Sequence, residues 1–195
     1  MVLALSLFLA APMIESQVHI EQRPGEVSHD SVPFAWPTAT AAEAGLDPAK
    51  LEAVAELAAA GASDSLLVIH DGRLVVERYW NGKTAQDVQQ TYSGTKSLLA
   101  QSPAPEANPS FGLFFHLNAG DCHRDYGVSD RLERKLIPGA PDDTFLMYGA
   151  GGQLVAGIPS LRLVIVRTGG DSGSSLYEAD NFFARLIRGI AEAAR

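Results

Sequence analysis

Residues 66–76 read LLVIHDGRLVV and give the clearest structural signal in the chain. Two runs of aliphatic and β-branched residues flank Asp71 and Gly72. Such runs are typical of β-strands, and an Asp-Gly pair between them favours a tight turn. The sequence therefore predicts a β-hairpin at this position.

A helix is predicted on each side of this hairpin, one before it and one at the end of the chain. Asp47 is a good N-cap, Pro48 suits the first helical position, and Gly61 ends the first helix. Its apolar stripe is Leu51, Val54, Ala55 and Ala58. In the last helix, Ser175 and Glu178 form a capping box. The predicted core face of that helix is Phe182, Phe183, Leu186, Ile187 and Ile190.

Ser93 and Lys96 form a Ser-x-x-Lys motif in the segment Thr-Tyr-Ser-Gly-Thr-Lys-Ser that follows the hairpin. If Ser93 begins a short helix over residues 93–100, Lys96 lies on the same face one turn later. A lysine that has lost part of its hydration has a lowered pKa and can take the proton of a serine hydroxyl. The motif therefore predicts a nucleophilic serine, although such short patterns also occur by chance.

Three further strands are predicted, over residues 111–117, 144–156 and 161–166, with the last two joined at Pro159 and Ser160. Together with the hairpin they predict an α+β fold with a five-stranded antiparallel sheet. The first and last helices flank the sheet, and the Ser93 helix is expected on its opposite face.

Composition limits the possible functions. The chain has 195 residues, enough for one domain with a small appendage, and its hydrophobic content of 46% argues against general disorder. A net charge of −8 without a basic patch disfavours nucleic-acid partners. Cys122 is the only cysteine, so no disulfide forms within the chain. The potential metal ligands His116, Asp121, Cys122, His123 and Asp125 fit no standard zinc spacing and are interpreted as a polar loop.

The N-terminal residues 1–13 form an uncharged apolar run that resembles the core of a secretory signal and is too short to span a bilayer. Residues 1–37 are therefore interpreted as a signal-like segment with an extended leader. The folded domain is assigned to residues 38–195. A secreted or periplasmic location follows if the signal is real, and a cytoplasmic one otherwise.

Several segments carry a family resemblance in the expected order. Residues 44–51 (AGLDPAKL) and 65–77 precede the Ser-x-x-Lys motif, and residues 148–153 (YGAGGQ) and 158–167 (IPSLRLVIVR) follow it. These segments resemble the first helix, the first hairpin, the closing catalytic strand and its partner in the serine β-lactamase and penicillin-binding-protein superfamily. The closest resemblance is to the class C β-lactamase-like group, which also contains esterases and amide hydrolases.

The resemblance implies a role for each candidate residue. Ser93 would attack a carbonyl carbon, Lys96 would act as the base, and the backbone N–H groups of Ser93 and Ala150 would stabilise the oxyanion. Tyr148 has a phenol near the expected cleft and is the candidate to substitute in part for the tyrosine of the family's Tyr-x-Asn element. The glycines that would let the substrate approach the strand edge are Gly149, Gly151 and Gly152. The alternative is that this segment is a glycine-rich bulge with only a packing role.

Two features depart from the family pattern. The family has a long helical domain after the serine helix, which supplies a Tyr-x-Asn or Ser-x-Asn element, whereas here residues 101–109 form a proline-rich linker. Tyr79-Trp80-Asn81 precedes Ser93 and is interpreted as a chance match. Met147 stands where the family usually has lysine or histidine.

The sequence therefore predicts a truncated β-lactamase-like serine hydrolase whose catalytic set is incomplete and which needs neither cofactor nor metal. Its substrates would be small esters, amides, β-lactams or D-Ala peptides, with esters and amides preferred over β-lactams. The alternative is a non-catalytic truncated homologue that serves as a small binding or structural domain. Self-association is expected, because loss of the helical domain would uncover Leu98 and Leu99.

Overall fold

A computed structural model of the protein describes residues 35–89, 111–112, 115–124, 131–173, 176, 178 and 180–195. The predicted Ser93 helix, the linker 101–109 and most of the leader lie outside the described residues. The described part is α+β, with helices α1 (Pro48–Ala60) and α2 (Phe182–Ala193). Its strands are β1 (Ser63–His70), β2 (Arg73–Tyr79), β3 (Phe111–Gly112), β4 (Phe115–Leu117), β5 (His123–Arg124), β6 (Arg131–Leu132), β7 (Phe145–Gly149), β8 (Gln153–Ile158) and β9 (Leu163–Gly169).

Helix α1 forms as predicted, from its cap to its end. The Asp47 carboxylate accepts hydrogen bonds from the backbone N–H groups of Ala49 at 2.9 Å and Lys50 at 3.2 Å. Pro48 is the first helical residue, and Gly61 follows the last turn. All four residues of the predicted apolar stripe are buried. Local signals therefore suffice to define this helix.

We expect Asp47→Ala to lower the free energy of unfolding by about 0.5–2 kcal/mol, because two N–H groups of α1 lose their acceptor. Urea denaturation followed by circular dichroism measures the change. Asp47→Asn is the matched control, since an asparagine side chain also caps a helix. An equal loss in both variants would contradict the capping explanation.

The predicted hairpin is also confirmed. β1 and β2 pair in antiparallel register from Ser65 opposite Tyr79 to His70 opposite Arg73. The turn residues Asp71 and Gly72 have φ values of 50° and 72°. Positive φ at both positions suits an Asp-Gly pair and matches the twist of the strands.

The main sheet has seven strands in the order β2-β1-β9-β8-β7-β4-β3. The prediction of five strands is therefore wrong. Two of the predicted strands are each two strands: residues 111–117 contain β3 and β4, which pair with each other, and residues 144–156 contain β7 and much of β8. Separately, β5 and β6 form a two-stranded sheet. Continuous apolar runs carry no period that reveals where a strand folds back.

The two faces of the main sheet differ. One row across the strands contains Leu66, Arg167, Leu154 and Tyr148, and this face packs against the helices. The neighbouring row on the other face contains Leu67, Val166, Val155 and Met147, all half-buried. Helices α1 and α2 pack against each other, with Gly189 directly against Val54.

The core face of α2 is as predicted, but its start is not. The five predicted core residues are all at most 2% exposed. The helix begins at Phe182, and its cap is Asn181, whose side-chain oxygen accepts a hydrogen bond from the Ala184 N–H at 2.8 Å. Ser175 lies outside the described residues, and Glu178 precedes the helix. The predicted capping box is therefore wrong, because Asn181 is an equally strong cap nearer the apolar stripe.

Candidate functional site

The predicted site residues divide into two groups. Ser93 and Lys96 lie outside the described residues. The other five, which are Tyr148, Gly149, Ala150, Gly151 and Gly152, lie together where β7 turns into β8. We call residues 149–153 the hairpin tip.

The hairpin tip is a tight turn that divides the single strand predicted over residues 144–156. Ala150–Gly152 form a 3₁₀ turn, and Gly151 and Gly152 have φ values of 72° and 82°. Residues other than glycine rarely adopt such values. A Cβ atom on Gly152 would also lie 2.7 Å from Nη1 of Arg167 and 2.9 Å from Cζ of Phe183. Glycine is therefore required at 151 and 152 by the turn itself.

Ala150 occupies the exposed start of this turn. The first N–H groups of a helical turn have no acceptor within the turn. The Ala150 N–H is thus not used by the turn that it begins. Lacking an acceptor within its own turn is one condition that the predicted oxyanion donor has to meet.

Arg167 supports the hairpin tip from the buried side of the sheet. This residue was not identified from the sequence. This arginine on β9 has none of its surface exposed. Its ring contacts are Phe182 and Phe183, whose centroids lie 5.4 Å and 6.0 Å from the guanidinium carbon. A usable signal was present: Arg167 is in phase with Leu163 and Ile165, so a period of two places it on the buried face.

Gln153, the last residue of the hairpin tip, is hydrogen-bonded to the end of β9. Its side-chain Nε2 donates to the Gly169 carbonyl at 2.7 Å, and its Oε1 accepts from the Gly169 N–H at 3.2 Å. Two hydrogen bonds to one residue fix the amide plane of Gln153. The start of β8 is therefore tied to the end of β9.

Tyr148 is half-buried and packs against the core. Its ring meets Phe183 edge-on at 5.1 Å between centroids, and His116 at 6.3 Å. Burial and the nearby Asp171 carboxylate raise the pKa of the phenol, and Arg167 opposes this shift. The phenol is therefore protonated at neutral pH. It lies on the helix-covered face, whereas the Ser93 helix was expected on the opposite face.

The residues interpreted as a polar loop are largely buried. His116 lies on β4 and His123 on β5, and Cys122 is also buried, whereas Asp121 is exposed. Asp125 lies outside the described residues. Burial lowers the pKa of His116 to about 4, so its ring is neutral at pH 7. Among the described side chains, no three metal-ligating groups come close enough to hold an ion.

Comparisons with known proteins add no assignment. No protein-family model matches the chain, and no curated protein sequence matches it. The β-lactamase-like resemblance therefore depends only on the sequence segments themselves. Neither of the described helices has the length and apolar character needed to cross a membrane.

Proposed function

We propose that the protein transfers acyl groups through Ser93, as a β-lactamase-like serine hydrolase with slow turnover. The observation that supports this proposal is the hairpin tip. Its exposed start carries an N–H group that the turn does not use, at Ala150, the residue to which the resemblance assigns the second oxyanion donor.

The proposed chemistry has two stages. Ser93 Oγ attacks the substrate carbonyl carbon while Lys96 takes its proton, and the negative charge on the carbonyl oxygen is stabilised by the N–H groups of Ser93 and Ala150. Collapse of this intermediate expels the alcohol or amine, which receives the proton, and leaves an ester on Ser93. Water must then attack that ester with help from a base.

The second stage, hydrolysis of the ester on Ser93, is expected to be slow. The chain has no Tyr-x-Asn element after Ser93. Tyr148, the suggested replacement, packs against Phe183 on the helix-covered face. A phenol in that position, with a raised pKa, is a poor base at neutral pH. Slow hydrolysis of the acyl-enzyme follows.

Small neutral esters and amides suit this site better than β-lactams. Met147 stands at the position where the family carries a cation that binds a substrate carboxylate, and its side chain is half-buried on the face of the sheet opposite the helices. A thioether supplies no positive charge. Substrates that need a carboxylate contact there are disfavoured.

Covalent labelling tests the proposal. A fluorophosphonate is expected to add one adduct, located by peptide mass spectrometry on Ser93. Ser93→Ala removes the nucleophile, and Lys96→Arg removes the base because arginine stays protonated. Both variants are expected to lose the adduct. Labelling of the wild-type protein no faster than at an ordinary surface serine would refute the proposal.

A second candidate function is a non-catalytic binding or structural domain. It is favoured by the packing around Gly152, whose missing side chain leaves room for Arg167 and Phe183. That packing explains this glycine without any substrate. The labelling experiment separates the two candidates, because a structural domain would fold cooperatively yet leave Ser93 unlabelled.

A further inference from the structure

Arg167 uses every donor of its guanidinium group inside the protein. A guanidinium has five N–H bonds in a planar fork. The side chain donates five hydrogen bonds. One goes to Ser63 Oγ at 2.9 Å. The other four go to the carbonyl oxygens of Gly151 at 3.3 Å, Gly152 at 2.8 Å, Gly61 at 2.8 Å and Gly170 at 2.9 Å. Arg167 therefore joins the end of α1, the start of β1, the end of β9 and the hairpin tip.

None of these five acceptors is a carboxylate. The Asp64 and Asp171 carboxylates stabilise this cation from a distance, but burial still lowers the pKa of Arg167. Its hydrogen bonds must therefore be complete for the site to be stable. Lysine could not replace it, because an ammonium has three donors on one atom and cannot reach acceptors around a plane. The geometry is specific for arginine.

The hairpin tip depends on this arginine for a fixed shape. Gly151 and Gly152 have no side chains to anchor them, and glycine adopts positive and negative φ with similar ease. The anchoring comes instead from Arg167, which holds both carbonyl oxygens, and from Gln153, which is bound to Gly169. Without Arg167 the peptide groups 151–152 and 152–153, which follow Ala150 in the turn, would lose their anchor.

We propose that Arg167 is a positioning residue that fixes the hairpin tip and thereby the direction of the Ala150 N–H. The catalytic meaning of this assignment rests on the proposed acyl transfer, whereas the claim about the shape of the tip does not. Arg167 touches neither the substrate nor Ser93 in this proposal. Its effect reaches the reaction only through the backbone of residues 150–152.

The test compares Arg167→Lys with Arg162→Lys in the full-length chain. Arg162 is the control because it immediately precedes β9 but is exposed, at the end of the strand far from the hairpin tip, where it pairs with Asp71. Two quantities are measured: amide hydrogen exchange of residues 149–153, and the rate of fluorophosphonate labelling of Ser93 over a range of probe concentrations. Exchange in α1 and in the β1–β2 hairpin reports whether the variant is folded.

In Arg167→Lys, we expect tip amides to exchange about tenfold faster or more, with exchange in α1 unchanged. The maximal labelling rate should fall about 10–100-fold, since misplacing one oxyanion donor has an effect of that order. The half-saturating probe concentration should stay within about threefold, because the ground state gains little from that donor. Arg162→Lys should change neither quantity.

Should Arg167→Lys fail to fold, Arg167→Met provides the second variant, because it removes the five hydrogen bonds without leaving an unpaired charge in the core. The same two changes are expected. Unchanged tip exchange in a folded variant would overturn the positioning role. Faster tip exchange combined with no labelling of wild-type Ser93 would instead refute the proposed function and leave the structural role of Arg167 supported.

Discussion

A burst of p-nitrophenol equal in amount to the protein, followed by very slow release, is the expected result with p-nitrophenyl acetate. The burst reports acylation of Ser93, for which the nucleophile, the base and two oxyanion donors are proposed to be present. The slow phase reports hydrolysis of the acyl-enzyme, for which a general base is lacking. Loss of such a group lowers rates by about 10²–10⁴-fold.

Stopped-flow absorbance measures both phases, and the burst amplitude should follow the concentration of intact Ser93. Ser93→Ala is expected to abolish the burst. Tyr148→Phe is the matched variant for the slow phase, because it removes only the hydroxyl and keeps the ring contact with Phe183. Sustained turnover at tens per second that disappears in Tyr148→Phe would show that this phenol had taken over the missing role.

Phe183→Ala is expected to lower the free energy of unfolding by about 3–5 kcal/mol, the usual range for removing a buried aromatic ring. Phe183 has 0% of its surface exposed. Its ring meets Phe182 and Tyr148 edge-on, each at 5.1 Å between centroids. It also borders Gly152, so the variant leaves a cavity beneath the hairpin tip.

Urea denaturation of Phe183→Ala and of a surface control provides the measurement. Val88→Ala is that control, because Val88 is 96% exposed and its truncation should change stability by less than about 0.5 kcal/mol. A loss below about 1 kcal/mol in Phe183→Ala would mean that the core of α2 repacks around the gap. The contact between Phe183 and Arg167 would then not be essential for the tip.

Features set by nearby residues could be predicted from the sequence. Helix α1 follows from Asp47, Pro48 and Gly61, and the β1–β2 hairpin follows from Asp71 and Gly72, because caps and turns are decided within a few residues. The core face of α2 follows from its 3.6-residue period. Its start was missed because two acceptable caps lie close together, and packing decides between them.

Features set by distant residues could not be predicted. The order of the strands depends on which edge of β1 is free for β9, and no local pattern encodes this. The turn at residues 150–152 was predicted as part of one strand, although three glycines flanked or formed it. Its conformation depends on Arg167 and Phe183, and the role of Arg167 becomes visible only when four segments of the chain meet.

In the candidate site, too, features set by nearby residues could be predicted and features set by distant residues could not. The Ser-x-x-Lys spacing is a local pattern and gave a definite expectation for Ser93 and Lys96. The direction of the Tyr148 ring is a property of the whole sheet, because it depends on which face the helices cover. The sequence therefore suggested a phenol near the expected cleft and gave no sign of its edge-on contact with Phe183.

The pairing of β1 with β9 has a consequence for synthesis on the ribosome. Ser65 and Thr168 bond through their hydroxyl groups at 2.6 Å, although 103 positions separate them. At about 5–20 residues per second, the ribosome needs roughly 5–20 s to make the intervening chain. Throughout that time the nascent β1–β2 hairpin exposes a strand edge that can pair with other chains. Synthesis of β9 is therefore the step that covers this edge, and the interval before it is the period in which the chain is most prone to aggregate.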